Sequence, residues 1–245
     1  MFANANTILI ALLAASPLVA AHGKVAAVVG DAGGNGTAIG IEGAVVPGKG
    51  SNSKTEVDTT VFKSTKIASN GLGKTTNNGN NAVTDVAQTM ALSGSTLPQV
   101  SNSINATFHV VTSDGCGPIK AMLDTGATGE FASGTALTNT ADIDGDKGDC
   151  PSSIAGKRSV VRRVLEKTGL ITKRATNVNK DFNVAFSVPA GTTCTGTVAG
   201  QSNVCLVKIA NENNAGPFGG VVAIQMAGAA TTTNTTRRAE KVWAA

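Results

Sequence analysis

Val204–Ala210 reads VCLVKIA and Gly220–Ala227 reads GVVAIQMA. Both runs are apolar and of strand length, and Asn, Gly and Pro fill the segment between them. They read as a pair of central strands. Working outward, Val184–Val188 alternates as VAFSV and stops at the turn Pro189-Ala190-Gly191. Ala106–Thr112 (ATFHVVT) is β-branched and aromatic, a strand by propensity. Ile119–Asp124 reads as another strand, and Lys24–Gly30 (KVAAVVG) as a glycine-bounded one. Ser51–Asn81 is polar and reads as loop or short edge strands. Ser159–Lys167 (SVVRRVLEK) is the best helix candidate. Short strands joined by Gly/Pro turns predict a mainly β protein: an antiparallel, immunoglobulin-like β-sandwich with long loops and at most one or two short helices.

The chain has 245 residues, 41% hydrophobic and 15% charged, enough to bury one core. A single domain over 22–228 is expected, followed by a polar tail over 229–245. Aromatics make up 3% and Tyr is absent, which argues against a sugar-binding platform of stacked rings. Net charge is +4, too mild and scattered to argue for nucleic acid. No Rossmann, P-loop or zinc-finger spacing occurs.

Thr7–Ala20 (TILIALLAASPLVA) is too short to span a membrane. Val19 and Ala21 suit the −3 and −1 positions of a signal-peptidase site, so residues 1–21 read as a signal peptide and His22 as the first mature residue. No later run is long and apolar enough to be a transmembrane segment. Secretion implies an oxidising compartment, in which Cys116, Cys150, Cys194 and Cys205 allow three pairings. Cys194–Cys205 closes a short Gly/Thr-rich loop and is the first choice. Cys116–Cys150 follows from it. Asn35, Asn105 and Asn234 begin Asn-X-Thr sequons for N-glycans.

Residues 141–174 look inserted. DIDGDKGDC supplies Asp142, Asp144, Asp146 and Asp149, calcium ligands by type, but its glycine stands in the fourth position rather than the sixth. A solvated acidic turn is the plainer reading. Lys157-Arg158, Arg162-Arg163 and Lys173-Arg174 are dibasic pairs of the kind secretory processing proteases cut.

Only two histidines occur, His22 and His109. At a mature N-terminus His22 offers an α-amine and a ring Nδ1 to one metal. His109 would add a third nitrogen. A planar three-nitrogen set suits Cu(II), so copper is the expected cofactor and this pair its histidine brace. On β-strand alternation Asn105, Thr107 and His109 share one face.

HGKVAAVVGDAGG, TFHVVTSDGCGPIKAMLD, PAGTTCTGT and GQSNVCLVKIANENNAGPFGGVVAIQ resemble a family of secreted fungal proteins, the appressorium-associated Egh/Mas-type virulence factors. The C-terminal part is the most specific. That architecture in turn is similar to the lytic polysaccharide monooxygenases, copper enzymes with an N-terminal histidine brace. The resemblance implies His22 and His109 as ligands, Phe218 as an axial aromatic and Gln225 as a nearby donor, with Lys24 and Asp114 flanking the site. The family's cysteines fall where this chain has Ala121, Ile209 and Val221, so bridges have been lost or rewired; loss at Ile209 and Val221 together reads as one lost bridge. Two functions are expected: copper-dependent oxidative cleavage of a cell-wall polysaccharide such as chitin, or a non-catalytic protein of the infection surface that binds wall glycan or copper. The partner is a cell wall or host surface.

Overall fold

A computed structural model describes residues 23–41, 58–94, 96–156, 168 and 175–228. The strands are β1 (Gly23–Gly30), β2 (Gly33–Gly36), β3 (Thr60–Val61), β4 (Lys74–Thr75), β5 (Gly79–Asn80), β6 (Gln99–Val100), β7 (Ser103–Thr112), β8 (Ile119–Asp124), β9 (Thr135–Ala141), β10 (Asn177–Ser187), β11 (Gly196–Val198), β12 (Gln201–Asn211) and β13 (Phe218–Met226). The longer helix, α1, is Val86–Ser93.

Every strand read from the sequence is present, but the architecture is a closed barrel and not an immunoglobulin-like sandwich. Seven strands follow one another around it in the order β12-β8-β9-β10-β7-β1-β13, and β13 returns to pair with β12. Each of these staves therefore has two hydrogen-bonded neighbours, whereas a sandwich leaves edges. The closure depends on β1, which pairs antiparallel with β7 and parallel with β13. Lys24 is the register partner of both His109 and Gly219.

Two cores explain the hydrophobic pattern. Ile104, Ala106, Phe108 and Val110 of β7 face the barrel interior with Leu123, Phe186, Ile209, Val222 and Ile224. A second core lies outside the barrel, where Leu206, Val221 and Ala223 pack beneath Ile39, Phe62, Leu72, Phe131 and α1. Strands β12 and β13 are thus buried on both faces, which is why they read as continuous apolar runs rather than alternating ones.

Both disulfides form: Cys194–Cys205, with Cα atoms 5.1 Å apart, and Cys116–Cys150, at 4.9 Å. Ala121 and Ile209 are cross-strand partners on the inner face, while Val221 belongs to the outer core. Ile209 and Val221 therefore face opposite ways and do not mark one lost bridge; a bridge at 121 and 209 fits the register.

The acidic segment is a turn. Asp146 and Asp149 exchange backbone hydrogen bonds, and Asp142 Oδ1 accepts from the N–H groups of Ile119 and Ile143. Among the described residues no cluster of three or more His, Cys, Asp or Glu is set to hold a metal. The signal-peptide region, the Ser159–Lys167 helix, the dibasic pairs, His22, Asn234 and the C-terminal tail lie outside the described residues.

Asp124, at the end of β8, organises the next turn. Its Oδ1 accepts from the Gly126 N–H, and its Oδ2 from the N–H groups of Thr128 and Gly129 and from the Thr128 hydroxyl. The carboxylate is buried, and the turn it holds delivers Phe131 to the outer core. Asp124→Ala is expected to cost about 2 kcal/mol, through lost hydrogen bonds and orphaned donors. A urea titration showing a lower midpoint at unchanged slope checks this.

Candidate functional site

Strand alternation turns Ile104, Ala106, Phe108 and Val110 inward and leaves Asn105, Thr107 and His109 on the outer face, as the period-two pattern predicts. His109 sits between two neighbours in register, Lys24 on β1 and Asp181 on β10. Its side chain is 14% exposed, and its Nδ1 lies 2.6 Å from Asp181 Oδ1. A carboxylate only accepts, so the Nδ1–H donates to Asp181, and in the neutral ring the lone pair is on Nε2. That Nε2 is buried and has no hydrogen-bond partner. A ring oriented through one nitrogen by a carboxylate, with the other left open, is the usual state of a metal-binding histidine.

The flanking lysine is fully buried. Lys24 Nζ donates to Asp58 Oδ1 at 2.6 Å, and both side chains are 1% exposed. The second carboxylate oxygen of Asp58 has no partner.

Beyond β7 the chain turns through Ser113–Pro118, and this turn is locked to the start of β13. Thr112 Oγ1 donates to Asp114 Oδ1 at 2.5 Å. Asn211 Nδ2 donates to the carbonyls of Asp114 and Cys116, and Asn213 Nδ2 to that of Asp114. Asn211 Oδ1 accepts the Phe218 N–H at 2.9 Å. The stretches HVVTSDGCGP and NENNAGPF thus interlock at the barrel end where β1 begins. Beside them lies an open cleft of about 350 Å³ lined by Asp114, Asp146, Lys147 and Asn213.

The other expected site residues are distributed differently. Phe218 is fully buried at this same end and pairs with Val61, but it is one residue out of phase with the His109–Lys24–Gly219 rung. Gln225 lies six residues along β13 from Gly219, roughly 20 Å at strand rise. There it accepts from Gln99 Nε2 and donates to the Ser202 carbonyl, a structural amide at the opposite end. The structure does not bring Gln225 to His109. Asn35 and Asn105 are exposed on the outer face. Sequence reasoning missed Asp181, Asp58 and Asn211. Asp181 sits in the polar run NKDFN and only the β7–β10 register reveals it.

The fold and this barrel end define a disulfide-stapled, mainly β protein with one carboxylate-held histidine among the described residues. The chain belongs to the Egh16-like virulence factor family, whose description matches residues 20–219. It is 35% identical over 229 residues to the appressoria-specific virulence factor GAS1 of Pyricularia oryzae, covering 92% of this chain and 80% of that protein. It is 35% identical over 130 residues to the appressoria-specific virulence factor GAS2 of the same organism, covering 52% of this chain and 37% of that protein. No solved structure matches it. Family membership gives the protein a virulence-related role. No described helix is long and apolar enough to cross a membrane.

Proposed function

We propose that this is a secreted virulence factor of the appressorium stage. In this reading residues 1–21 are removed as a signal peptide and His22, newly N-terminal, binds one Cu(II) together with His109. The observation that carries the reading is the state of His109: Nδ1 is held by Asp181 and Nε2 is buried without a partner. The β1–β7 register supports it. Gly23 pairs with Val110 and Lys24 with His109. Gly23, which follows His22 in the chain, thus stands one rung from His109.

Each residue then has one task. Asp181 orients the ring, His109 would offer Nε2, and the amine and Nδ1 of His22 would complete a nitrogen set suited to Cu(II). When bound, copper would supply electron exchange with oxygen or peroxide, as oxidative cleavage of a wall polysaccharide such as chitin requires. A second reading, a non-catalytic protein binding copper or wall glycan at the infection surface, is favoured by the aromatic residues. Phe62, Phe108, Phe131, Phe186 and Phe218 are all fully buried and Phe182 is half-buried against the barrel core, so together they offer a glycan chain little stacking surface.

Calorimetry with Cu(II) on protein beginning at His22 tests the site. Tight one-to-one binding is expected, abolished by His109→Ala and by one extra residue ahead of His22, which converts the amine to an amide. Asp181→Ala should weaken binding about 10–100-fold, as loss of an outer-shell partner does. Equal affinity of the mature protein and His109→Ala would end the copper reading.

A further inference from the structure

Val29 is the large apolar side chain of β1 that the barrel leaves in solvent, 46% exposed next to the last residue of an otherwise covered strand. Its register partners are Asn35 on β2 and Asn105 on β7. Both asparagines head Asn-X-Thr sequons, and both are exposed. Neither side-chain amide makes a hydrogen bond among the described residues. Beyond Asn105 the next residue on the rung is Ala185 of β10, again small and apolar. Four neighbouring strands thus present a shallow strip of Asn, Val, Asn and Ala, with both asparagines and Val29 exposed among the described residues. Adjacent strands lie about 4.8 Å apart, so the two asparagines stand roughly 10 Å from each other, with Val29 between them.

We propose that Asn35 and Asn105 both carry N-linked glycans and that the two together cover Val29. The inner sugars present apolar faces that suit Val29 and Ala185, and their outer hydroxyls keep the strip wet. The inference rests on the secretion reading above, since the transferase acts in that pathway. Asn105 is four residues from His109, roughly 13 Å at strand rise, so its glycan borders that histidine without covering it.

The test uses the full chain secreted by a eukaryotic host. Peptide mass mapping before and after enzymatic glycan release should find both asparagines modified. Asn35→Gln and Asn105→Gln should each remove one glycan's mass. The double variant should be retained longer on a hydrophobic column, and adding Val29→Ser should reverse the retention. Secreted protein with either asparagine bare overturns the inference and leaves the copper reading standing. Unchanged retention of the double variant overturns the covering role. A chain that never reaches the medium overturns the secretion reading along with it.

Discussion

Asp58→Ala is expected to destabilise the protein by about 3–5 kcal/mol, the cost of breaking a buried ion pair by removing one partner. Lys24 cannot follow its charge to water, because its stem is fixed in β1 between His109 and Gly219 and its side chain is 1% exposed. Asp58→Asn keeps one acceptor for Nζ and should cost less. Replacing both partners by apolar residues, as in Lys24→Met with Asp58→Leu, should recover most of the loss, because neither charge of this pair is then buried without the other. Urea melts of the four proteins separate these cases. Wild-type stability in Asp58→Ala would show that Lys24 has a solvated alternative and that the pair does not hold β1 in place.

The second large effect concerns Lys208, whose setting is different. It projects from β12 into the outer core, where Nζ donates to the carbonyls of Ser69 and Gly71 and lies 4.1 Å from the Phe62 ring centre and 5.3 Å from that of Phe131. Burial lowers its pKa from 10.5 to about 8. Between these two values the unfolded chain holds a proton that the folded chain has released, so stability rises with pH across that window. Below pH 8 both states are protonated and the group contributes no slope. The gain from pH 8 to pH 10.5 is up to about 3 kcal/mol, because one proton bound only by the unfolded chain is worth roughly 1.4 kcal/mol for each pH increment of one. Tyr and Cys add nothing in this window: the chain has no Tyr, and all four cysteines are in disulfides. Lys208→Met should abolish the rise. Lys208→Ala should cost roughly 2–4 kcal/mol at neutral pH, by opening a void between two rings and orphaning two carbonyls. Chemical denaturation at pH 7, 8.5 and 10 checks both; a flat wild-type profile would refute the neutral-lysine account.

Most strands were legible because their burial is local to their own sequence. β12 and β13 are apolar through their central stretches, β7 alternates, and β8 is bounded as read. What escaped was decided elsewhere in the chain. β9 reads TALTNTA and buries only Leu137, so its strand state comes from pairing with β8 and β10 rather than from its own pattern. Helix α1 is eight residues long and reads VAQTMALS; its Val86 and Met90 are recognisable as core only once β12 and β13 present an outer face to cover. The barrel itself was hidden because sandwich and barrel share the same strand periodicity. The difference is one parallel ladder between first and last strands. The site follows the same division. His109 and its outward phase were readable, whereas Asp181 and Asp58 depend on partners 72 and 34 residues away.

That parallel ladder also sets a timetable. Lys24 and Gly219 stand far apart in the sequence, and at 5–20 residues per second the ribosome needs roughly 10–40 s to make the second after the first. Throughout that interval β1 has only β2 and then β7 to lean on. The final stave, and the outer core laid over it, assemble only after β13 has been made. Emerging chains therefore pass through an open, edge-exposed form, and a stop codon between β12 and β13 would leave every earlier strand made but the ring unclosed.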